Sequence, residues 1–395
     1  MSLTLDRLHG AYTRERVPAN ATTSDFAWHA YAVVLAATLV VIGLLWDISW
    51  HMSIGRDTFW TPAHLVIQGG GLIAGLGSGI LALRLSFRGT DAERASAVSF
   101  WGFRAPFGAW VCVLGCGAML TSAPFDDWWH NAYGLDVRIV SPPHVLLGLG
   151  MLGIVLGALL RTLALQNRPN SAERARASAM FAWCSGLYVT IIAVLLMEWS
   201  GRPSMHSGSF YIAYSLTMPL FFSAIAVAGR VRWPATTAAA VYMVVMAGTS
   251  WFLMLFPAVP KLGPIYHDIT HYVPLDFPVL LVLPAFALDL AWKRVASWPV
   301  LRAGAALGIA YFLTLIAVQW PLSEFVMTHG RNWFFHADNF VYFQSIASER
   351  FAFQFRRTGR LDTSLELQLA SACAGAVIAS AAGISRGRWM TRVQR

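Results

Sequence analysis

Charged residues are scarce in this chain. Only 12% of its 395 residues are Asp, Glu, Lys or Arg, whereas 56% are hydrophobic and the mean hydropathy is +0.54. Soluble globular domains carry about 25% charged residues, so the composition excludes a water-soluble fold and predicts a chain that crosses a bilayer several times. The net charge of +9 forms no clustered basic patch of the kind that nucleic-acid binding requires. We therefore expect the lipid bilayer, and no nucleic acid, as a partner.

Cysteine is also rare. The four cysteines are Cys112, Cys116, Cys184 and Cys373, and all lie inside apolar segments, which argues against a disulfide framework. Cys112 and Cys116 are one helical turn apart and have the spacing of a soft-metal pair, but small buried side chains explain them more simply. The polar N-terminal stretch has no signal-peptide pattern, so we expect the chain to keep its N-terminus.

Long apolar runs are abundant. Ten segments have the length to cross a bilayer: 28–50, 62–83, 105–123, 143–166, 178–198, 208–229, 234–256, 275–292, 300–320 and 366–385. They predict an all-α polytopic membrane bundle of about ten transmembrane helices. The expected divisions are an N-terminal cytoplasmic segment 1–27, a duplicated four-helix metal-binding unit 28–166, further helices 167–320, a long outer loop 321–365, and a last helix with a basic tail 366–395.

Positive charge sets the expected orientation. With the N-terminus inside, most arginines and lysines fall in inner loops and tails, which predicts a multi-pass protein of the bacterial inner membrane with both termini cytoplasmic. Nine of the eleven histidines then fall on the outer side: His51, His64, His130, His144, His206, His267, His271, His329 and His336. We therefore expect the chemistry at the periplasmic face.

A repeated pattern occupies two predicted helical hairpins. Its copies are Asp47-x3-His51-x12-His64 and Asp126-x3-His130-x13-His144. Two further positions match between the copies: Gly55 corresponds to Gly134, and Asp57 corresponds to Asp136. So many matches in register predict an internal repeat of about eighty residues, in which both hairpins have the same membrane orientation. Two similar sites would then lie side by side at one depth.

The spacing of each copy suits a metal ion. Asp47 and His51 are four residues apart at a helix end, so they share a helix face. Pro62 or Pro143 then opens the next helix, which returns the second histidine to the same depth. Two imidazoles and one carboxylate form a three-ligand set with an open position, suited to copper, iron or zinc. The alternative is that each histidine only hydrogen-bonds an acid or the backbone at the interface.

Other polar groups on the outer side have less specific patterns. Asp57 and Asp136 are candidates to orient an imidazole, to cap a helix, or to pair with Arg56 and Arg138. His267 and His271, in a His-Asp-x2-His cluster with Asp268, are candidate additional metal ligands. Five further groups have open roles as ligands, proton relays or loop tethers: Glu198, His206, His329, His336 and Asp338.

These motifs resemble the C subunit of the copper membrane monooxygenases, the particulate methane and ammonia monooxygenase family. That subunit carries Asp-x3-His-x12-His and Asn-x3-His-x13-His motifs on successive membrane helices. Asp47, His51 and His64 match the first motif, and His130 and His144 match the second. Asp126 departs from the pattern, because the family has asparagine at that place. The resemblance covers roughly residues 28–166.

The resemblance implies a membrane-bound, copper-dependent oxygenase, or its metal-bearing subunit. Copper reduced by quinol or another electron donor would activate dioxygen and hydroxylate a small, mostly apolar substrate. The residues it implies as catalytic metal ligands are Asp47, His51, His64, Asp126, His130 and His144. The chain contains no cupredoxin-like segment, so the resemblance implies a cupredoxin-like partner or other membrane subunits, and an oligomer.

Two further classes remain open from the sequence. One is a non-catalytic copper or zinc protein that binds or transports the metal or helps to assemble a metal centre. Transport would require ligands staggered across the membrane, whereas the candidate ligands of this chain gather on one side. The other is a haem-binding electron-transfer subunit that uses His64 and His144 as axial ligands, which leaves the aspartates unexplained. Membrane di-iron hydroxylases carry His-x3-His and His-x2-His-His boxes, and this chain has none.

Overall fold

The structure, a computed structural model, describes residues 27–134, 141–168, 171–355 and 363–394. These residues form an all-α bundle, which confirms the predicted fold class. Its helices are α1 (Ala27–Ser53), α2 (Pro62–Arg88), α3 (Asp91–Ala95), α4 (Phe107–Tyr133), α5 (Pro142–Gln166), α6 (Ser171–Leu195), α7 (Met197–Ser200), α8 (Gly208–Ala228), α9 (Pro234–Leu253), α10 (Val282–Val295), α11 (Val300–Thr328), α12 (Ile346–Ala352) and α13 (Leu365–Met390). Strands β1 (Val98–Phe100) and β2 (Phe103–Ala105) make one short antiparallel hairpin.

Within the described part of the chain, nine helices are long and apolar enough to cross a membrane: α1, α2, α4, α5, α6, α8, α9, α11 and α13. The protein is therefore a multi-pass membrane protein. The prediction of a tenth transmembrane helix over 275–292 is wrong. That segment is extended up to Leu281, and only α10 follows as a helix.

Proline explains why the tenth segment is not one long helix. Pro274 and Pro278 lack the backbone N–H that a helix interior needs, and Pro284 is tolerated because it lies in the first turn of α10. The helix has 14 residues, which gives a length of roughly 21 Å. That is shorter than the hydrocarbon core of a bilayer, about 30 Å.

The segment nevertheless runs between opposite ends of the bundle. At one end, Ser49 Oγ donates to the Val273 carbonyl at 2.6 Å, and Val273 N–H donates to Ser53 Oγ at 2.8 Å. At the other end, the Asp289 carboxylate accepts from the Thr236 N–H at 2.9 Å, at the start of α9. We call residues 273–295 the broken span, because an extended half precedes a helical half.

The extended half is buried among side chains that satisfy its backbone. Gln319 Oε1 accepts from the Leu280 N–H at 2.9 Å, and His336 Nδ1 hydrogen-bonds the Leu275 carbonyl at 2.8 Å. The Tyr242 hydroxyl oxygen faces the Val279 N–H. Non-helical backbone at membrane depth requires partners of this kind, because lipid offers none.

The four helices that carry the repeated pattern pack on one another. Helix α1 contacts α2, α4 contacts α5, and further contacts join α2 to α4 and α1 to α5. Glycine permits close approach at the crossings: a Cβ at Gly70 would lie 2.9 Å from the Ala36 carbonyl oxygen, and one at Gly150 would lie 2.9 Å from the Gly115 carbonyl oxygen. The two hairpins are thereby held side by side, while the internal duplication itself stays a prediction.

The long stretch predicted to begin at 321 begins later. Helix α11 continues to Thr328, so the connection to α13 starts at His329 and contains α12. The described residues of this connection, together with residues 254–281, lie at the end of the bundle where α1 ends and α2 begins. We call this end of the bundle the site end. The predicted cytoplasmic segment 1–27 lies outside the described residues except for Ala27.

Candidate metal centre

Asp47, His51 and His64 come together at the site end. Asp47 and His51 lie in the last two turns of α1, and His64 lies in the first turn of α2 after Pro62 at the helix start. The His64 Nε2 atom lies 3.0 Å from Asp47 Oδ1, and the His51 Nε2 atom lies 3.8 Å from Asp47 Oδ2. Among the described residues, this is the one group of three whose possible ligand atoms all lie within 4.8 Å of one another. Its geometry suits a metal ion.

A backbone contact fixes the orientation of His64. Its Nδ1 atom lies 2.8 Å from the Thr58 carbonyl oxygen, so this nitrogen carries the proton and donates. The Nε2 atom then faces Asp47, with a lone pair in the neutral ring or an N–H in the imidazolium form. Thr58 is itself held by Thr61, whose Oγ1 accepts from the Thr58 N–H at 2.9 Å. This is how second-layer hydrogen bonds orient a metal-binding imidazole.

The contact between His64 and Asp47 requires a cation. The Asp47 Oδ1 atom is buried and has no hydrogen-bond donor in the described structure, although His64 Nε2 is 3.0 Å away. A carboxylate oxygen and an imidazole lone pair repel each other at that distance unless a proton or a metal ion lies between them. The pair is therefore either an imidazolium–carboxylate ion pair or two ligands of one metal.

Asp57 also faces the two imidazoles. Its Oδ2 atom lies 3.4 Å from His51 Nε2 and 3.5 Å from His64 Nε2. The loop that carries it turns at Gly55, whose φ of 82° favours glycine. The sequence did not distinguish a role for Asp57 beside the metal from helix capping or pairing with Arg56. In the structure its ion-pair contacts are with His51 and His64.

The second triad is more open. The His130 Nε2 atom lies 3.4 Å from Asp126 Oδ2, and the His144 Nε2 atom lies 3.7 Å from Asp126 Oδ1. His130 Nδ1 lies 3.3 Å from the Gly134 carbonyl oxygen. The three ligand atoms do not all come within 4.8 Å of one another. Asp136, the counterpart of Asp57, lies outside the described residues, as does Arg138.

No protein-family model, curated protein or solved structure matches this chain. The chemistry of the site therefore rests on the residues that form it. Those residues offer imidazole and carboxylate ligands beside an apolar bundle.

His267 and His271 lie in a separate open cleft. The cleft has a volume of about 440 Å³, and Asp268 and Asp338 also line it. The His267 ring stacks on Phe340 with 5.2 Å between ring centroids, whereas His271 Nδ1 lies 2.9 Å from Thr270 Oγ1. Within the described residues, neither histidine joins a group of three close ligand atoms. Their role as metal ligands stays a prediction.

Two other histidines at the site end have structural contacts. His206 stacks on Trp320 with 4.0 Å between ring centroids, and its Nε2 lies 3.2 Å from the Trp320 carbonyl oxygen. Burial lowers the His206 pKa, against the opposing effects of that carbonyl and Glu324. His336 is buried and bonds the broken span at Leu275, and its burial lowers the pKa to about 4. Both rings are neutral at pH 7 and act as loop tethers.

Sequence reasoning missed Gln68. It lies one turn beyond His64 on α2, and its Oε1 atom is buried without a hydrogen-bond partner. A position four residues after His64 faces the same side of the helix, so Gln68 is placed to contact a ligand near the site. The available signal was a polar amide inside an otherwise apolar helix.

Proposed function

We propose that this protein is a membrane-bound metalloenzyme that uses copper to activate dioxygen and hydroxylate a small, mostly apolar substrate. The observation that carries the proposal is the convergence of Asp47, His51 and His64, in which a buried carboxylate oxygen lies 3.0 Å from an imidazole nitrogen. The resemblance of both motifs to the C subunit of copper membrane monooxygenases supplies the metal and the reaction class.

The residues fit copper. Imidazole nitrogens with carboxylate oxygens bind Cu²⁺ well, and the hydrogen bond from His64 to Thr58 sets the ligand nitrogen. Bound copper would supply electron transfer to dioxygen, while quinol or another donor supplies two electrons and the second oxygen atom leaves as water. The protein's own contribution is to hold and orient the ligands.

The position of the site supports a substrate that arrives from lipid. His64 belongs to α2, which exposes Leu65 beside it and Leu72 about two turns further along the helix. Small apolar molecules partition into hydrocarbon, so a site at the helix ends is within reach of them. The second triad is proposed as a further copper site, with Asp126 in place of the family's asparagine adding negative charge. The periplasmic orientation is part of this proposal.

Metal analysis of the purified full chain tests the proposal. We expect copper, measured by elemental analysis, to fall by about one ion per chain in the double variant His51→Ala/His64→Ala, because a metal site rarely survives the loss of two of its ligands. The matched control is His329→Ala, an exposed histidine on the same side of the bundle. Electron paramagnetic resonance of the oxidised protein should show nitrogen hyperfine structure that the double variant loses.

Product analysis tests the reaction class. With ¹⁸O-labelled dioxygen, a quinol and small alkanes or ammonia, the native chain should form a product that carries one labelled oxygen atom, and His51→Ala/His64→Ala should form none. An unchanged metal content in the double variant would remove the proposed site. Normal metal loss without any labelled product, including with added membrane subunits, would instead favour a non-catalytic metal protein.

A further inference from the structure

Asp57 makes contacts that its sequence position does not require. Its carboxylate lies in the connection between α1 and α2, beyond both helix ends, yet Oδ2 reaches His51 at 3.4 Å and His64 at 3.5 Å. About a third of the Asp57 side chain remains exposed, at 35%. Two carboxylates that face the same two imidazoles bring two negative charges to one site. A cation, either an imidazolium or a metal ion, is needed to balance them.

The loop holds Asp57 in this position from both sides. Trp50 Nε1 donates to the Arg56 carbonyl at 3.0 Å, which fixes the residue before Asp57. The Lys261 N–H donates to the Ile54 carbonyl at 2.9 Å. The Tyr342 hydroxyl packs directly against Gly55, where a Cβ would collide with it. Segments distant in sequence therefore set the direction of the Asp57 side chain.

The distances are those of a shared coordination sphere. Ligand atoms about 2.1 Å from one ion lie roughly 3.0–3.4 Å from their neighbours in square or tetrahedral arrangements. The four imidazole–carboxylate distances run from 3.0 Å to 3.8 Å. Asp57 lies outside the group whose ligand atoms all come within 4.8 Å of one another. The two carboxylates therefore approach the imidazoles from different sides, which leaves room for an ion between them.

We propose that Asp57 is a fourth ligand, so that the centre is a two-histidine, two-carboxylate site that selects a divalent cation over a monovalent one. This inference rests on the proposed metal site. Two carboxylates carry two negative charges and cancel those of a divalent ion, and oxygen ligands favour harder, more oxidised metals. In a copper centre Asp57 stabilises Cu²⁺ relative to Cu⁺.

Metal titration of the full chain with Asp57→Asn tests the fourth ligand. Asparagine keeps the size of the side chain and removes its charge. We expect the dissociation constant for Cu²⁺ to rise by about 10- to 100-fold, and that for Cu⁺, measured against a Cu⁺ chelator, to change much less. Asp57→Glu, which keeps the charge, should restore part of the Cu²⁺ affinity. The control Asp91→Asn removes an exposed acid just beyond the end of α2 that is opposite the site end, and it should change neither constant.

Spectroscopy separates a ligand from a residue that only shapes the loop. Electron paramagnetic resonance of the Cu²⁺ form should show a changed copper hyperfine splitting in Asp57→Asn, with both nitrogens retained, because one oxygen ligand is replaced. Unchanged Cu²⁺ affinity and an unchanged spectrum in this variant would overturn the inference while the proposed site stands. If His51→Ala/His64→Ala also binds Cu²⁺ normally, the proposed site itself fails. A thermal unfolding curve checks that each variant is folded.

Discussion

His336 is a buried histidine whose ionisation opposes the native structure. Its side chain is 2% exposed and bonds the Leu275 carbonyl, and its backbone has a φ of 54°, which few non-glycine residues adopt. Burial lowers its pKa from 6.5 to about 4, with Arg202 acting in the same direction and Asp276 and Asp338 opposing. The neutral ring is therefore the form that holds the connection between α11 and α13 on the broken span.

The sign of the pH dependence follows from this lowered pKa. Above about pH 6.5 the ring is neutral in both states and its contribution to stability is complete; as the pH falls towards 4, the unfolded chain binds a proton that the folded chain excludes. We expect the contribution of His336 to lower the free energy of unfolding by about 2 kcal/mol between pH 7 and pH 5. The melting temperature of His336→Asn should fall less over that range than that of the native protein, because asparagine tolerates the same backbone conformation.

The exposed His329→Asn is the control for this comparison, and its pH profile should follow the native one. Parallel profiles for all three proteins would mean that His336 is protonated in the folded state and that the tether to Leu275 survives in acid.

Gln319 shows how one element depends on another. It is fully buried on α11, and its Oε1 atom accepts the Leu280 N–H at 2.9 Å. In Gln319→Leu this N–H loses its acceptor in an apolar surrounding, which costs about 1–3 kcal/mol. We therefore expect a clear fall in melting temperature in detergent. Thr314→Val on the same helix should have little effect, because the Thr314 hydroxyl bonds only its own helix at Ala310.

An equal loss of stability in both variants would show that helix α11, rather than the bond to the broken span, is the sensitive element. The contrast between the two variants is informative because both replace a polar side chain by an apolar one on α11.

The number of crossings decides the topology of the whole molecule. Nine long helices alone would place the two ends of the described chain on opposite sides of the membrane. We expect the broken span to add a tenth crossing, which would return both ends to one side. Without this crossing Asp268 and Arg294 would share a side, and with it they would lie on opposite sides.

Single-cysteine labelling tests this topology. In a Cys373→Ser background, Asp268→Cys and Arg294→Cys each place an exposed thiol in a connecting segment or at the end of α10. A membrane-impermeant maleimide should label them from opposite faces, with Asp268→Cys accessible from the periplasm if the proposed orientation holds. Labelling of both from one face would show that residues 273–295 enter and leave on the same side. The three remaining cysteines are buried and serve as an unlabelled background.

The sequence by itself determined the class of fold and the convergence of Asp47, His51 and His64. Low charge and long apolar runs leave no alternative to membrane helices, since only helices satisfy their own backbone in lipid. The four-residue spacing of Asp47 and His51, with Pro62 at the start of the next helix, likewise determines that these side chains meet His64. Both inferences depend on local geometry.

Tertiary structure decided the broken span and the position of Asp57. An apolar run of helical length gives no sign of where its backbone will find partners, and the partners of residues 273–281 come from α1, α9, α11 and His336. Asp57 lies in a loop whose direction is set by Lys261 and Tyr342, more than two hundred residues away in the chain. Such contacts depend on packing between distant segments, which local patterns do not encode.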